Sequence, residues 1–179
     1  ELLSAGADVI EQSLDIDLDR ELISDQAMVM RREHWIRQLS VPATQVLMKE
    51  FDRWRDHFPI QCRLAHHAAS KGQVPGIALY QRFIVEMQKD GMQAIFVQHP
   101  LLARRIGQLI DQQGHYWNRL LRRLKQDLPA IAKWLGAPTN TLVQTVSSPY
   151  SDPHDGGAVV IALQLKSCSE RVFYKPRNL

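Results

Sequence analysis

The sequence contains no apolar run close to the ~20 residues that a membrane-spanning helix needs. This absence excludes a protein with helical membrane spans. Only two cysteines occur among the 179 residues, and Cys62 and Cys168 fit no metal-binding spacing. The acidic start of the chain also lacks the basic stretch and apolar core of a secretory signal. Together these absences predict a cytoplasmic protein with reduced thiols and no metal site of its own.

Acidic and basic residues are unevenly distributed along the chain. Residues 1–30 contain eight acids and one base, whereas the remaining residues contain an excess of ten bases, so the net charge is +3. A basic body of this kind can attract nucleic acid, phosphorylated ligands or acidic peptides. It can equally be the solvated surface of helices, and charge alone leaves both interpretations open.

The longest predicted helix begins at Pro100. Apolar residues recur there every three or four positions and form one stripe, which is typical of a helix packed on a core. Gly136, followed by Ala-Pro, favours a helix end, so the predicted helix stops near Leu135. Four tryptophans lie at helical spacing with other apolar residues and are predicted to anchor the core: Trp35, Trp54, Trp117 and Trp134.

Three shorter helices are predicted before Pro100, where proline and glycine punctuate the apolar pattern. The first is predicted to begin at Pro42 and to end near His57. The other two are predicted over residues 60–71 and 77–89.

The pattern changes from helical to alternating after Gly136. Strands are predicted over residues 139–146, 158–165 and 171–175, and a short polar hairpin loop joins the last two. The prediction is therefore an α+β fold. It consists of a mainly helical part, residues 1–138, followed by the start of a sheet, residues 139–179.

The residues that could carry chemistry lie among the last thirty. Gly156 and Gly157 are predicted to form a flexible turn before the second strand. Lys175 lies on the third strand and shares a face with Phe173, opposite to Val172 and Tyr174. Kinase-type enzymes bring the backbone amides of a glycine turn and a strand lysine to phosphate groups. Taken alone, a Gly-Gly pair is more often a plain turn, and a strand lysine is more often solvated.

Asp152 and His154 lie in the turn-rich loop beside these glycines. A neighbouring carboxylate can fix the tautomer of a histidine and raise its pKa, as acid–base catalysis requires. Asp and Pro are also common turn formers, so a purely local role of this loop is the other interpretation.

A longer segment adds a resemblance to a known family. The segment SDPHDGGAVVIALQLKSCSERVFYKPRNL, residues 151–179, resembles the hallmark segment of type II lanthipeptide synthetases, the LanM family. It contains the Ser-Asp-x-His-x-Gly-Gly loop, a strand, a hairpin and the Tyr-Lys-Pro-Arg-Asn-Leu strand end. The stretch HPLLARRIGQLIDQQGHYWNRLLRRL resembles the region before that loop. The resemblance covers roughly residues 80–179, and residues 1–79 are compatible with the helical N-terminal part of the family.

The resemblance implies a dehydratase with a lipid-kinase-like catalytic core, of which residues 139–179 would be the start. Its partner would be a ribosomal precursor peptide, both leader and core, with no membrane and no nucleic acid involved. The full-length enzyme would use ATP and Mg²⁺ to phosphorylate Ser and Thr and would then eliminate phosphate. Dehydroalanine and dehydrobutyrine would result. Zn²⁺ would belong to a C-terminal cyclase domain that this chain lacks.

The resemblance also assigns roles to individual residues. Lys175 matches the lysine that contacts the ATP phosphates, and Asp152 and His154 match loop residues of the elimination step. Gly156 and Gly157 match glycines that lie close to the ligand. Arg177 matches an arginine with an organising or phosphate-side role. Two departures are mild, because Asp155 stands where Asn is familiar and Asn178 where Ser is frequent.

A kinase core also needs an Asp that orients the acceptor hydroxyl, and Asp or Asn ligands for the metal. The resemblance places these residues beyond Leu179, so the isolated 179-residue chain is expected to be inactive. One alternative is a non-catalytic helical module that binds a peptide or nucleic acid. Another is a degenerate synthetase that retains only precursor binding.

Overall fold

A computed structural model of the chain describes residues 2–57, 76–147, 158–166 and 168–176. The helices are α1 (Ser4–Gln12), α2 (Ile16–Leu22), α3 (Asp25–Asp56), α4 (Gly76–Glu86), α5 (Met92–Gln98) and α6 (Pro100–Trp134). A π-helical turn, Met87–Gly91, joins α4 to α5. The strands are β1 (Val143–Val146), β2 (Ile161–Leu165) and β3 (Arg171–Tyr174). The fold is therefore α+β and mainly helical, as predicted, and the helix predicted over residues 60–71 lies outside the described residues.

Helix α3 begins much earlier than predicted. The start predicted at Pro42 is wrong, because the helix begins at Asp25 and continues through this proline. The Ser24 side chain caps the helix by accepting a hydrogen bond from the Ala27 N–H. A proline inside a helix costs about 3 kcal/mol. Here a buried stripe on both sides of Pro42 offsets that cost through packing: Ala27, Arg31, Trp35, Leu39 and Ala43.

Helix α6 confirms the predicted limits at both ends. It begins at Pro100 and ends at Trp134, and Gly136 follows in a left-handed conformation with a φ of 69°. Glycine adopts this conformation without the steric cost that a Cβ would bring. The Ala137 N–H then donates to the Ala132 carbonyl at 2.8 Å, which closes the end of the helix.

The four tryptophans have different environments. Trp35 and Trp117 are buried as predicted, and their rings meet edge to face at 6.0 Å. Trp54 is half-buried, and its indole N–H donates to Glu86 at 2.6 Å. The prediction for Trp134 is wrong, because its side chain is 81% exposed. It is the last residue of α6, beyond the buried positions of that helix.

The three strands form one antiparallel sheet in the order β1-β2-β3. In β3, Val172 and Tyr174 are half-buried, whereas Phe173 and Lys175 are exposed, and this confirms the predicted faces. The inner face of the sheet packs on α6 within one hydrophobic core that also includes residues of α1, α2 and α3. The assignment of residues 139–179 to a kinase-like lobe stays a prediction.

The acidic start of the chain pairs with the basic body. Arg31 of α3 is fully buried and binds Asp19 of α2 through both terminal guanidinium nitrogens, Nη1 and Nη2. Arg32 binds Glu11 of α1 at 3.1 Å, and Lys125 of α6 binds Glu21 of α2. Part of the charge asymmetry of the sequence is therefore neutralised by contacts within the chain.

Candidate functional site

The described strand ends that flank the predicted loop and precede Lys175 lie at one end of the sheet. β1 ends at Val146, and the Ser147 N–H continues the pairing by donating to the Ala162 carbonyl at 2.9 Å. β2 begins at Ile161, which is paired with Tyr174 at the end of β3. Because both strand pairs are antiparallel, the end of β1, the start of β2 and the end of β3 lie side by side.

Lys175 follows β3 at this end of the sheet. Continuing the register of β2 and β3 by one pair sets Lys175 beside Val160, and its side chain is exposed. The other predicted site residues lie outside the described residues: Asp152, His154, Gly156, Gly157 and Arg177. Ser147 and Ala158 are the described residues that flank positions 148–157. They lie at the same end of the sheet as Lys175, because Ser147 follows β1 and Ala158 precedes β2.

A cavity of about 180 Å³ lies between α6 and β3, beside Lys175. Helix α6 contributes Arg123 and Asp127 to its lining, and β3 contributes Tyr174. The Arg123 guanidinium lies 5.8 Å from the centre of the Tyr174 ring, a distance at which a cation and an aromatic face attract each other. Two cations, Arg123 and Lys175, and one carboxylate, Asp127, lie among the described lining residues, and most of the other lining side chains are apolar. The net positive charge can attract an anionic group.

Tyr116 of α6 lies beneath this end of the sheet and is 1% exposed. Its hydroxyl donates to the Val159 carbonyl at 3.0 Å, and its ring centre lies 5.9 Å from that of Tyr174. Burial raises the pKa of Tyr116 well above its usual range, Tyr174 acts in the same direction, and Arg119 opposes them. The hydroxyl therefore stays protonated and remains a donor. The sequence analysis missed this residue, and its only signal was a place next to Trp117 on the apolar stripe.

A second, smaller cavity of about 80 Å³ lies beside Ser147, at the end of β1. Its lining includes Ser147, Trp117 and three polar residues of α3, namely Glu33, His34 and Arg37. Burial lowers the pKa of His34, and the positive charge of Arg37 lowers it further. His34 is therefore neutral at neutral pH.

An apolar groove of about 1090 Å³ lies away from the sheet, between α3 and α4. Its described lining contains no charged side chain, and Phe51, Tyr80 and Phe83 form an aromatic cluster along it. A surface of this kind can take the apolar side chains of a peptide or of another protein.

In residues 2–57, 76–147, 158–166 and 168–176, no three His, Cys, Asp or Glu side chains come together as metal ligands would. No helix within those ranges combines the length and apolar character needed to cross a bilayer. Two cations, Lys175 and Arg123, line the cavity beside β3, whereas ligands for Mg²⁺ do not occur as a group in this part of the chain.

Comparison with protein families gives a match over the C-terminal part of the chain. Residues 99–179 match the model of the DUF4135 family, which is described as a domain of unknown function. No curated protein matches the chain. The match begins one residue before α6 and includes all three strands and both halves of the motif. Residues 99–179 are thus related to the DUF4135 family, a domain family associated with lanthipeptide synthetase-like proteins.

Proposed function

We propose that this chain is the N-terminal part of a LanM-type dehydratase. The full-length enzyme would phosphorylate Ser and Thr of a ribosomal precursor peptide in the cytoplasm and would then eliminate phosphate. One observation carries the proposal. Ser147 and Ala158, which flank positions 148–157, lie at the same end of the sheet as Lys175. This end lies within the residues that match DUF4135.

Lys175 would act in the phosphorylation step. ATP would supply the γ-phosphoryl group. The hydroxyl oxygen of the peptide would form a bond to phosphorus as the bond to ADP breaks, and the hydroxyl proton would pass to a base of the full-length enzyme. Negative charge on the phosphates is best stabilised by a cation that is already in position. Lys175 offers an exposed ammonium at the sheet end, and Arg123 adds a second positive charge in the adjacent cavity.

The loop that carries Asp152 and His154 would act in the elimination step. A base takes the proton from the α-carbon of the phosphorylated residue, the bond between the β-carbon and oxygen breaks, and phosphate leaves. The double bond of dehydroalanine or dehydrobutyrine remains. The support for this role is that the residues flanking positions 148–157, namely Ser147 after β1 and Ala158 before β2, lie at the end of the sheet where Lys175 lies.

The proposal also covers the fold. The three strands would be the first strands of a lipid-kinase-like N-lobe, and the helices would be the helical additions of the dehydratase. The acceptor-orienting Asp, the Mg²⁺ ligands and the Zn²⁺-dependent cyclase would lie in later segments of the full-length enzyme. The isolated chain would then lack both activities.

The test uses the full-length enzyme, its genomically adjacent precursor peptide, ATP and Mg²⁺. We expect the wild-type enzyme to dehydrate the peptide, and the Lys175→Ala variant to leave it unphosphorylated. Lys166→Ala is the matched control, because Lys166 is also an exposed lysine but follows β2 at the opposite end of the sheet. Equal phosphorylation by the Lys175→Ala and wild-type enzymes would rule out the proposed role of this lysine.

The elimination role has its own test. We expect the Asp152→Ala or His154→Ala enzyme to accumulate the phosphorylated peptide, because the first step remains and the second is slowed. The mass spectrum separates the two products, since a phosphorylated peptide gains mass and a dehydrated one loses the mass of water. Undiminished dehydration by both variants would reject the role of the loop.

A second candidate function is a non-catalytic helical module that binds a peptide. The uncharged apolar groove between α3 and α4 favours it, because an amphipathic peptide helix can bury its apolar face in such a groove. Precursor binding without any change of the peptide mass would support this candidate over the dehydratase. Nucleic-acid binding would instead weaken steeply as salt is added.

A further inference from the structure

We propose that Tyr116 is a positioning residue, which holds the start of β2 and the end of β3 in the arrangement that the phosphorylation step needs. This inference rests on the proposed function and deepens it. Tyr116 lies on α6, outside both halves of the sequence motif. It would act through its neighbours and would not touch the substrate.

Tyr116 contacts the segment just before β2 and the last residue of β3, at the end of the sheet where the site lies. Its hydroxyl donates to the Val159 carbonyl at 3.0 Å, two residues after Gly157. Its ring packs against that of Tyr174, with 5.9 Å between the centres and 61° between the planes. Tyr174 immediately precedes Lys175. One side chain therefore contacts the first residue of the second half of the motif and a residue two positions after the first half.

The position of Tyr116 is fixed from the helical side. Its ring meets Trp117 edge to face at 5.7 Å, and Trp117 meets Trp35 of α3 in the same way at 6.0 Å. All three side chains are almost fully buried. Packed aromatic rings have few alternative rotamers, so the Tyr116 hydroxyl is held in place independently of the strands that it contacts.

The contact with Val159 cannot be replaced easily. Val159 is 1% exposed, so water has little access to its carbonyl once the tyrosine hydroxyl is removed. We expect the strand start to shift or to become more mobile until another donor is found. Catalytic groups must be held to about 0.5 Å, and a displacement of about 1 Å can reduce the rate about 100-fold.

The test compares the full-length wild-type enzyme with its Tyr116→Phe variant, which loses the hydroxyl and keeps the ring. We expect kcat for peptide phosphorylation to fall between about tenfold and 100-fold, with KM for the peptide nearly unchanged. Hydrogen exchange should rise in residues 158–163 and 171–176 and stay at the wild-type level in α1.

Ile10→Val is the control for a purely structural effect. Ile10 is fully buried in α1 and takes no part in the hydrogen bond or the ring contacts of Tyr116, so we expect this change to lower the melting temperature and leave those contacts in place. A positioning role predicts that Ile10→Val keeps the wild-type kcat. If Tyr116→Phe changes only the melting temperature, as Ile10→Val does, the inference is wrong.

The outcomes separate this inference from the proposed function. An active wild-type enzyme with the same kcat in Tyr116→Phe rejects the inference alone. A wild-type enzyme that does not phosphorylate the peptide rejects the proposed function and the inference together. A fall in kcat, with faster exchange confined to β2 and β3, supports both.

Discussion

We expect the removal of the Asp19 carboxylate to destabilise the fold strongly. Asp19 accepts hydrogen bonds from both terminal nitrogens of Arg31, and the bond from Nη2 to Oδ2 is 2.8 Å long. The Arg31 side chain is completely buried, and its guanidinium carbon lies 4.8 Å from the Trp35 ring centre and 5.3 Å from that of Trp117. In an Asp19→Ala protein this cation would lose its counter-charge and would still be excluded from water.

The size of the effect follows from this burial. Removing one partner of a buried ion pair costs about 3–5 kcal/mol, because the other charge remains desolvated. At about 2–4 °C per kcal/mol for a chain of this size, Asp19→Ala should lower the melting temperature by about 6–20 °C. Asp8→Ala is the matched control. Its partner Arg32 is 31% exposed, so its loss should cost less than about 1 kcal/mol.

Urea denaturation followed by circular dichroism measures both variants under the same conditions. A third protein, Asp19→Leu with Arg31→Met, removes both charges and replaces them by apolar groups. We expect it to be more stable than Asp19→Ala, because no buried charge is left without a partner. The reasoning fails if Asp19→Ala costs no more than Asp8→Ala, since Arg31 would then not depend on its carboxylate.

Three further expectations concern single residues. Because the pKa of His34 is lowered by folding, the unfolded chain binds a proton more readily than the folded one. The contribution of His34 to the free energy of unfolding is therefore complete above pH 6.5 and declines as the pH falls from there to the pKa of the folded state. His34→Gln should remove this part of the pH dependence in urea titrations, and an unchanged slope would contradict it. Gly136→Ala should lower the free energy of unfolding by about 1–2 kcal/mol through backbone strain alone. The reason is that φ is 69° and, beyond the adjacent residues, no heavy atom of the described part of the chain lies within 4 Å of the added Cβ. A neutral result in the same titration would argue against the left-handed conformation. Trp134→Ser should change the unfolding free energy by less than about 0.5 kcal/mol, because the side chain is 81% exposed, and a larger loss would mean that it packs against something.

Periodicity and end signals predicted α6 well because they agree with each other. The apolar stripe, the proline at the first position and the glycine after the last turn all indicate the same helix. The start of α3 could not be predicted in this way. Pro42 is a typical helix start, and only the burial of Trp35 and Leu39 against other elements shows that the helix runs through it. Trp134 has the same spacing as the buried tryptophans and differs only in lacking neighbours at the helix end.

The candidate site was predictable in part. Alternation along β3 correctly predicted that Lys175 shares a face with Phe173, opposite to Val172 and Tyr174, and the hairpin correctly predicted that β3 returns beside β2. The contribution of α6 could not be predicted, because the hydrogen bond from Tyr116 to Val159 joins residues 43 positions apart. Arg123 beside Tyr174 is a contact of the same kind, since helical spacing does not tell which strand a helix face meets.

The mass of the precursor peptide after incubation with the full-length enzyme, ATP and Mg²⁺ tests the central claim most directly. The wild-type and Lys166→Ala enzymes are expected to give a peptide lighter by one or more waters, with phosphorylated intermediates at early times. The Lys175→Ala enzyme is expected to return the peptide unchanged. A peptide that the wild-type enzyme leaves unmodified, or that the Lys175→Ala enzyme dehydrates equally well, would contradict the account.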